Sequence, residues 1–246
     1  SAANRSSYYY LGGNFDYTKT FGKHRLNALA GYSQELNNAD AFKEIALRSG
    51  FVKAYYSYDN KYLLEASIRR DGSSLFGDGH KWGNFPSVAV GWNLAEEKFM
   101  KQFAFLNQLK LRASYGTLGN NNIAPYLYQS TIQSGNGAEI SNGNPNISWE
   151  TMGITDLGAN ISLFKSKLDI TIDWYNRKTT DMILNPQPSL VSGLKSGPVN
   201  IGSMVNKGWE VLVGYNGTIA PRIAFTANVG MSYNKSRILK LAKGTM

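Results

Sequence analysis

Cysteine is absent from the 246-residue chain, and histidine occurs only twice, at His24 and His80. The first absence excludes a disulfide framework, a cysteine-based zinc site and a thiol nucleophile. The second leaves too few imidazoles for a Ser-His-Asp triad or a histidine-ligated metal cluster. The sequence therefore predicts no catalytic residues, no metal site and no cofactor.

A membrane-spanning helix is also missing, because no stretch of about eighteen consecutive apolar residues occurs. Hydrophobic residues nevertheless make up 42% of the chain and aromatic residues 13%, which is too apolar and aromatic for a disordered protein. If such a chain crosses a membrane, it must cross it with β-strands.

The net charge of +9 does not by itself predict a nucleic-acid partner. Lysine and arginine are spread over turns and alternate strand positions, and no basic stripe accompanies a nucleic-acid-binding motif. We therefore expect no nucleic acid among the partners.

Apolar and polar residues alternate with a period of two along about ten stretches of the chain. Representative apolar sets are Tyr62, Leu64, Ala66 and Ile68; Leu109, Leu111, Ala113 and Tyr115; and Leu168, Ile170, Ile172 and Trp174. Charges in these stretches occupy only the opposite set: Glu65, Arg69, Lys110, Arg112, Asp169 and Asp173. This pattern predicts strands with one lipid-facing side, and the six charged residues are expected to line a watery lumen. Alternatively, these charges simply pair and solvate the interior.

The connections between the stretches alternate between short and long. The short ones are 20–23, 59–61, 164–167 and 216–218, and the long ones are about 37–49, 71–85, 118–148 and 178–208. A further short-side connection, 95–101, is predicted to contain one helical segment, whose Glu96 and Glu97 are expected to be solvated charges. Short turns on one side and long loops on the other are typical of an outer-membrane barrel, with periplasmic turns and extracellular loops.

A soluble β-sandwich also has alternating strands, but its strands usually have about five or six residues. Several stretches here run for about ten to twelve residues, the length of a tilted strand that crosses a bilayer. Aromatic residues near the stretch ends favour girdles at the membrane boundary: Tyr58, Tyr62, Trp92, Trp149 and Trp209. The fold class predicted is therefore all-β, an antiparallel transmembrane β-barrel segment of about ten strands.

The segment Arg70–Gly77, followed by Lys81–Trp92, resembles the motifs of SusC/RagA-type TonB-dependent transporters of Bacteroidota. Further matching motifs follow in order: 95–99, 109–116, 119–120, 144–146, 149–151, 173–175, 179–181, 200–203 and 206–210. The resemblance covers nearly the whole chain. It implies that residues 1–246 belong to the barrel domain of a roughly 22-stranded barrel. The signal peptide, TonB box and plug are expected to lie outside this sequence.

The resemblance also implies a location in the outer membrane and active import of an oligosaccharide or peptide. Its implied partners are a SusD-like surface lipoprotein, the TonB complex and outer-membrane lipid. Trp82, Tyr126 and Tyr128, in the long loops, are candidates for stacking on sugar rings, or alternatively for loop packing. No enzymatic activity is expected; the alternatives kept open are a barrel enzyme and a soluble β-rich adhesin.

Overall fold

The computed structural model describes residues 6–40, 43–133, 139–141, 143–186, 197–220 and 223–241. Ten long strands form one antiparallel sheet, in which each strand pairs with its neighbours in chain order, and two short strands form a separate hairpin. The long strands are β1 (Ser7–Phe21), β2 (His24–Asp40), β3 (Lys43–Tyr58), β4 (Tyr62–Ser73), β5 (Trp82–Asn93), β6 (Leu106–Asn120), β9 (Glu150–Leu163), β10 (Leu168–Leu184), β11 (Val199–Ala220) and β12 (Ile223–Lys240). The hairpin strands are β7 (Thr131–Gln133) and β8 (Glu139–Ser141). Within the described ranges, no helix has both the length and the apolar character needed to span a bilayer.

Tight turns join the strands at one end of the sheet, which we call the short-turn end. Asp59 and Asn60 both have positive φ, 53° and 55°, as the central residues of a type I′ turn do, and the Lys61 N–H donates to the Tyr58 carbonyl at 2.9 Å. Phe164, Lys165 and Ser166 also have positive φ in the turn between β9 and β10. The predicted turns at 59–61 and 164–167 are therefore confirmed.

Two other expectations at this end are wrong. Residues 216–218 are not a turn, because Gly217 pairs with Phe225 and β11 continues to Ala220. The Asn-Gly pair suggested a turn, yet both residues extend the ladder. The 95–101 connection is not one helical segment but two short 3₁₀ turns, Leu94–Glu96 and Lys98–Met100, separated by an extended Glu97.

The predicted long loops are shorter in the structure, because the strands continue beyond the apolar stretches. Most of 37–49 belongs to β2 and β3, and the connections after β4, β6 and β10 shrink to 74–81, 121–149 and 185–198. The Gly-, Asn- and Ser-rich sequence near these ends suggested loops. Backbone pairing nevertheless continues there, because polar side chains carry no desolvation cost in the part of a strand that extends beyond the lipid.

Strand register places every predicted apolar set on one face of the sheet. Ile68 of β4 pairs with Val52 of β3, and Val90 of β5 pairs with Leu64 of β4 and Ala113 of β6. No second sheet covers this face in the described part of the chain: Leu64, Ile68 and Val90 are exposed. A sandwich would bury them, so the fold contradicts the soluble β-sandwich and favours strands that face lipid.

Candidate functional site

The opposite face of the sheet carries the charged residues predicted from the sequence. Glu65 lies 2.9 Å from the Nζ of Lys53. Arg69 contacts Asp71 at 2.7 Å and donates to Ser49 at 2.9 Å. The structure thus pairs two of the six predicted residues, Glu65 and Arg69, with neighbours that sequence reasoning did not single out.

The ion pair between Arg112 and Asp173 joins two of the predicted residues across an intervening strand. Arg112 Nη2 lies 2.6 Å from Asp173 Oδ1. Both residues are in register with Gly158 of β9. A Cβ at Gly158 would approach the Asp173 carboxylate to 2.5 Å and the Arg112 guanidinium to 2.6 Å. The missing side chain of Gly158 therefore leaves the space in which the pair forms, and any larger residue would displace the ends of both side chains.

Lys110 and Asp169 complete the predicted set on the same face. Lys110 is in register with Asn160, and Asp169 accepts a long hydrogen bond of 3.4 Å from Asn216. All six charged residues therefore share one face of the sheet, but the structure does not gather them into one cluster. Their role in lining a lumen stays a prediction.

A groove of about 430 Å³ runs along this face between β4, β5, β6 and β9. Its polar lining includes Glu65, Arg69 and Asp156, together with Ser67 and Ser87, whose hydroxyls lie 2.7 Å apart. Apolar side chains, among them Phe85, Leu118 and Ile154, supply much of the remaining lining, so the groove combines hydrogen-bonding groups with apolar surface.

Pairing between β5 and β6 stops at Ser87, although β5 continues to pair with β4 as far as Trp82. Pro86 explains the difference. Its carbonyl accepts a hydrogen bond from Thr117 of β6 at 3.3 Å. Because the N–H and C=O of a strand residue point the same way, the N–H that proline lacks is the one that would face β6. The sheet therefore opens between β5 and β6 at the end away from the tight turns.

A small hydrophobic core fills this end of the polar face. Phe76 and Ile147 from two connections are fully buried, and they pack with Phe85 and Trp149. The ring centroids of Phe76 and Phe85 lie 5.2 and 5.5 Å from that of Trp149, whose indole donates to the Lys81 carbonyl at 3.1 Å. Phe76, Ile147 and Trp149 thus fasten the connections to β5 through Phe85, which also lines the groove.

Sequence reasoning missed this core. Trp149 was assigned to a membrane girdle, which is wrong, because the side chain is only 9% exposed inside the loop core. The signal that could have found the core is a bulky apolar residue within a polar, glycine-rich connection, as at Phe76 and Ile147.

The three aromatic candidates for substrate contact occupy different environments. Tyr128 packs against the loop core. The Tyr126 hydroxyl accepts a 3.4 Å hydrogen bond from the Glu44 backbone. Trp82 is half exposed on the apolar side of β5, where the Arg70 guanidinium lies 5.1 Å from its ring centroid. This geometry suits a residue at the membrane boundary, and substrate contact by any of the three stays a prediction.

Aromatic side chains form a continuous row at the short-turn end of the apolar face. Stacked or tilted rings link Phe21, His24, Tyr58, Tyr62 and Trp92, with centroids 4.9–6.3 Å apart. This is the arrangement of an interfacial girdle.

Glu97 holds this row from the connection between β5 and β6. Its carboxylate accepts hydrogen bonds from the Tyr62 hydroxyl at 2.7 Å, the Trp92 indole at 3.2 Å and the Lys61 ammonium at 3.3 Å. These bonds, that of Tyr62 above all, lower the pKa of Glu97 below its usual 4.5. Glu97 was expected to be a solvated charge, and that expectation is wrong.

Two carboxylates lie near the extracellular end of β4, Asp71 within the strand and Asp78 in the connection after it, and each is engaged by a cation. Asp71 contacts Arg69, and Asp78 contacts Lys81 at 2.7 Å. Within the described ranges, no group of three or more acidic or histidine side chains is placed to hold a metal ion.

One long-stranded sheet with an uncovered apolar face, a polar opposite face and aromatic boundary rows defines a segment of an outer-membrane β-barrel. The chain belongs to the TonB dependent receptor-like, beta-barrel family, whose model matches residues 2–244. The predicted fold class, with periplasmic turns at the short-turn end and extracellular connections at the other, is thereby confirmed, as are the SusC/RagA-type resemblance and the outer-membrane location. The count of roughly 22 strands is consistent with this family.

Among curated proteins, the chain is 39% identical to TonB-dependent receptor P39 of Formosa agariphila, an alignment that covers 93% of this chain and 22% of that protein. It is 29% identical to TonB-dependent receptor SusC of Bacteroides thetaiotaomicron, covering 87% of this chain and 23% of SusC. Among solved structures, the RagAB peptide transporter is 26% identical with a TM-score of 0.82, covering 96% of this chain and 31% of the transporter chain. The chain therefore spans between a fifth and a third of these relatives.

Proposed function

We propose that this sheet is part of an active importer, which carries an oligosaccharide across the outer membrane through its barrel with energy delivered by TonB. The observation that carries the proposal is the polar face itself. It presents paired charges and a groove that offers hydroxyls, carboxylates and apolar side chains on the side opposite the lipid, next to the loop core that Phe85 joins.

The pairing of charges favours an uncharged, hydroxyl-rich cargo. Glu65 is matched by Lys53, and Asp173 by Arg112, so this part of the wall offers compensated charge instead of a field of one sign. Ser67 and Ser87 offer hydroxyls that exchange hydrogen bonds with sugar hydroxyls at little cost. Glu65, Arg69, Lys110, Arg112, Asp169 and Asp173 are proposed to line the path.

The partners proposed are a SusD-like surface lipoprotein, on the extracellular connections, and the TonB complex. The names of the relatives support both, since they are TonB-dependent receptors that include SusC, and the RagAB transporter. Tyr126 and Tyr128, in the 121–149 connection, are proposed to contact cargo at the mouth, and Trp82 stays a weaker proposal because it lies on the apolar side.

A peptide cargo is the second candidate. It is favoured by the likeness to a transporter described as a peptide transporter. No catalytic function is proposed, because the relatives are receptors and transporters.

The test is growth and uptake by a strain that lacks the full-length parent gene. The strain is grown on single glycans and on peptides as nutrient sources, and complemented with the wild-type gene or with Arg112→Gln. Loss of growth on a glycan that the wild-type gene restores supports oligosaccharide import, whereas loss on peptides alone overturns the cargo assignment. Normal growth on every nutrient overturns import. Uptake that persists when an uncoupler collapses the proton-motive force overturns the TonB-driven step.

A further inference from the structure

Four cations occupy the lipid-facing side of β10, β11 and β12 near the extracellular end. Lys178, Lys207, Lys235 and Arg237 are all exposed. Each lies two or four residues from the outward-facing Trp174, Trp209 or Tyr233 of its own strand, toward the extracellular end. A spacing of two residues along a strand keeps side chains on the same face. The cations therefore point away from the polar face, on the side of the sheet that meets the membrane.

An aromatic row directly beneath these cations marks the upper edge of the apolar band. Trp174 pairs with Trp209, and Trp209 pairs with Tyr233 at a ring-centroid distance of 6.5 Å. The band continues down β11 to Ile219, ten residues from Trp209. At about 3.3 Å per residue and a tilt of about 40°, ten residues rise about 25 Å, the height of a lipid-facing band. The cations thus lie at the level of the outer-leaflet headgroups.

The positions of the four cations favour the binding of an anion. Lys207 and Lys235 are directly opposite each other in the ladder, where like charges are destabilising. Among the described residues, none of the four cations takes part in an ion pair. In the described ladders, they pair with Asn176, Val205, Gly153 and one another, and none of these partners is a carboxylate.

We propose that this surface, the outer basic patch formed by Lys178, Lys207, Lys235 and Arg237, binds the phosphate-bearing headgroup of an outer-leaflet glycolipid. Such a lipid presents phosphate directly above acyl chains. The patch presents cations directly above Trp209 and Val211, so both parts of the lipid meet a complementary surface. Nutrient on its way through the barrel would meet the other face. Neighbouring glycolipids would in turn neutralise the repulsion between Lys207 and Lys235.

The test uses the folded full-length parent protein in nanodiscs of neutral lipid, titrated with monophosphoryl lipid A. Lys207→Gln combined with Lys235→Gln is expected to weaken binding about 25-fold, a factor of about five for each lysine. The matched control is Lys98→Gln combined with Lys167→Gln, which removes the same charge from exposed lysines at the periplasmic end. This control is expected to bind within twofold of the wild type. Folding of each variant is checked by heat-modifiable gel migration.

Three further arms separate the outcomes. Lys207→Arg with Lys235→Arg keeps the charge and is expected to keep binding, which also serves if the glutamine variant fails to fold. Dephosphorylated lipid is expected to bind the wild type as weakly as the glutamine variant. Equal binding by the glutamine variant and the wild type overturns the proposal. So does inorganic phosphate that binds as tightly as the lipid, because the patch would then hold any anion.

Discussion

The two faces of this sheet differ at every second residue, and they follow opposite rules of burial. On the lipid-facing side, Leu64, Ile68 and Val90 are apolar and exposed. On the opposite, polar side, serines and paired charges are half buried, although they line an open groove. The solvent of the outward face is hydrocarbon, so its apolar side chains need no protein cover.

The most deeply buried apolar side chains lie in the connections and not in the strands. Phe76 and Ile147 are fully buried over the polar face, where the sheet opens above Ser87. This is the one part of the described structure that resembles the core of a water-soluble protein. The comparison teaches that the strands depend on the membrane for their stability, while the loop core depends on the hydrophobic effect in water.

The largest expected effect is destabilisation of the loop core. Phe76→Ala is expected to cost about 3–5 kcal/mol in the free energy of opening the loop core, because it leaves a cavity beside Trp149. Hydrogen exchange of the amides in 74–81 and 143–149 measures this opening. Phe99→Ala, at an exposed position, is the matched control, with a change within about 0.5 kcal/mol. Equal protection in the two variants would contradict a water-type core here.

The next effect separates the two faces along one strand. Val229→Arg is expected to cost about 2–4 kcal/mol of folding free energy, because Val229 lies near the middle of the apolar band, opposite Val213. Asn228→Arg, one residue away on the polar face, is expected to be mild. The pair Ile170→Arg and Thr171→Arg repeats the comparison on β10. Urea titration of the full-length barrel in lipid vesicles measures both; equal costs would show that the faces are wrongly assigned.

The strands and their faces could be predicted from the sequence because the period of two is a local signal. Tyr62, Leu64, Ala66 and Ile68 alternate with residues of a different kind, and a shift of register by one residue would reverse every side chain. Tight turns such as Asp59-Asn60 carry their own conformational signal.

The loop core and the strand ends could not be predicted in this way. The contact of Phe76 with Trp149 joins residues far apart in the chain, and no local pattern encodes such a pair. The ion pair of Arg112 with Asp173 depends on a third strand that supplies Gly158 between them. The strands also extend beyond their apolar stretches. Backbone pairing continues outside the lipid, where side chains no longer alternate between apolar and polar.

A smaller effect tests the charge pairing of the polar face. Asp173→Asn is expected to lower the free energy of unfolding by about 0.5–1 kcal/mol, because the pair with Arg112 is partly exposed and therefore weak. The difference from the wild type is expected to shrink in high salt. Asp169→Asn, whose carboxylate has only a long contact to Asn216, is the control with little change. Urea unfolding at low and high salt measures both; a salt-independent loss would mean that packing, and not charge, joins the strands.

The smallest effect lies at the periplasmic edge of the lipid-facing side and concerns pH. Because the folded-state pKa of Glu97 is lowered, its contribution to stability is fully present above the usual 4.5 and is lost as pH falls through the lower folded-state value. In Glu97→Gln, the thermal midpoint should no longer fall with pH for this reason. Tyr62→Phe should make the fall smaller, because the hydrogen bond from Tyr62 contributes most to the lowering of the Glu97 pKa. Tyr58→Phe removes a hydroxyl that is not among the three donors to Glu97 in the described structure, so it should keep the wild-type profile. An unchanged acid profile in Glu97→Gln would mean that the aromatic row holds without this carboxylate.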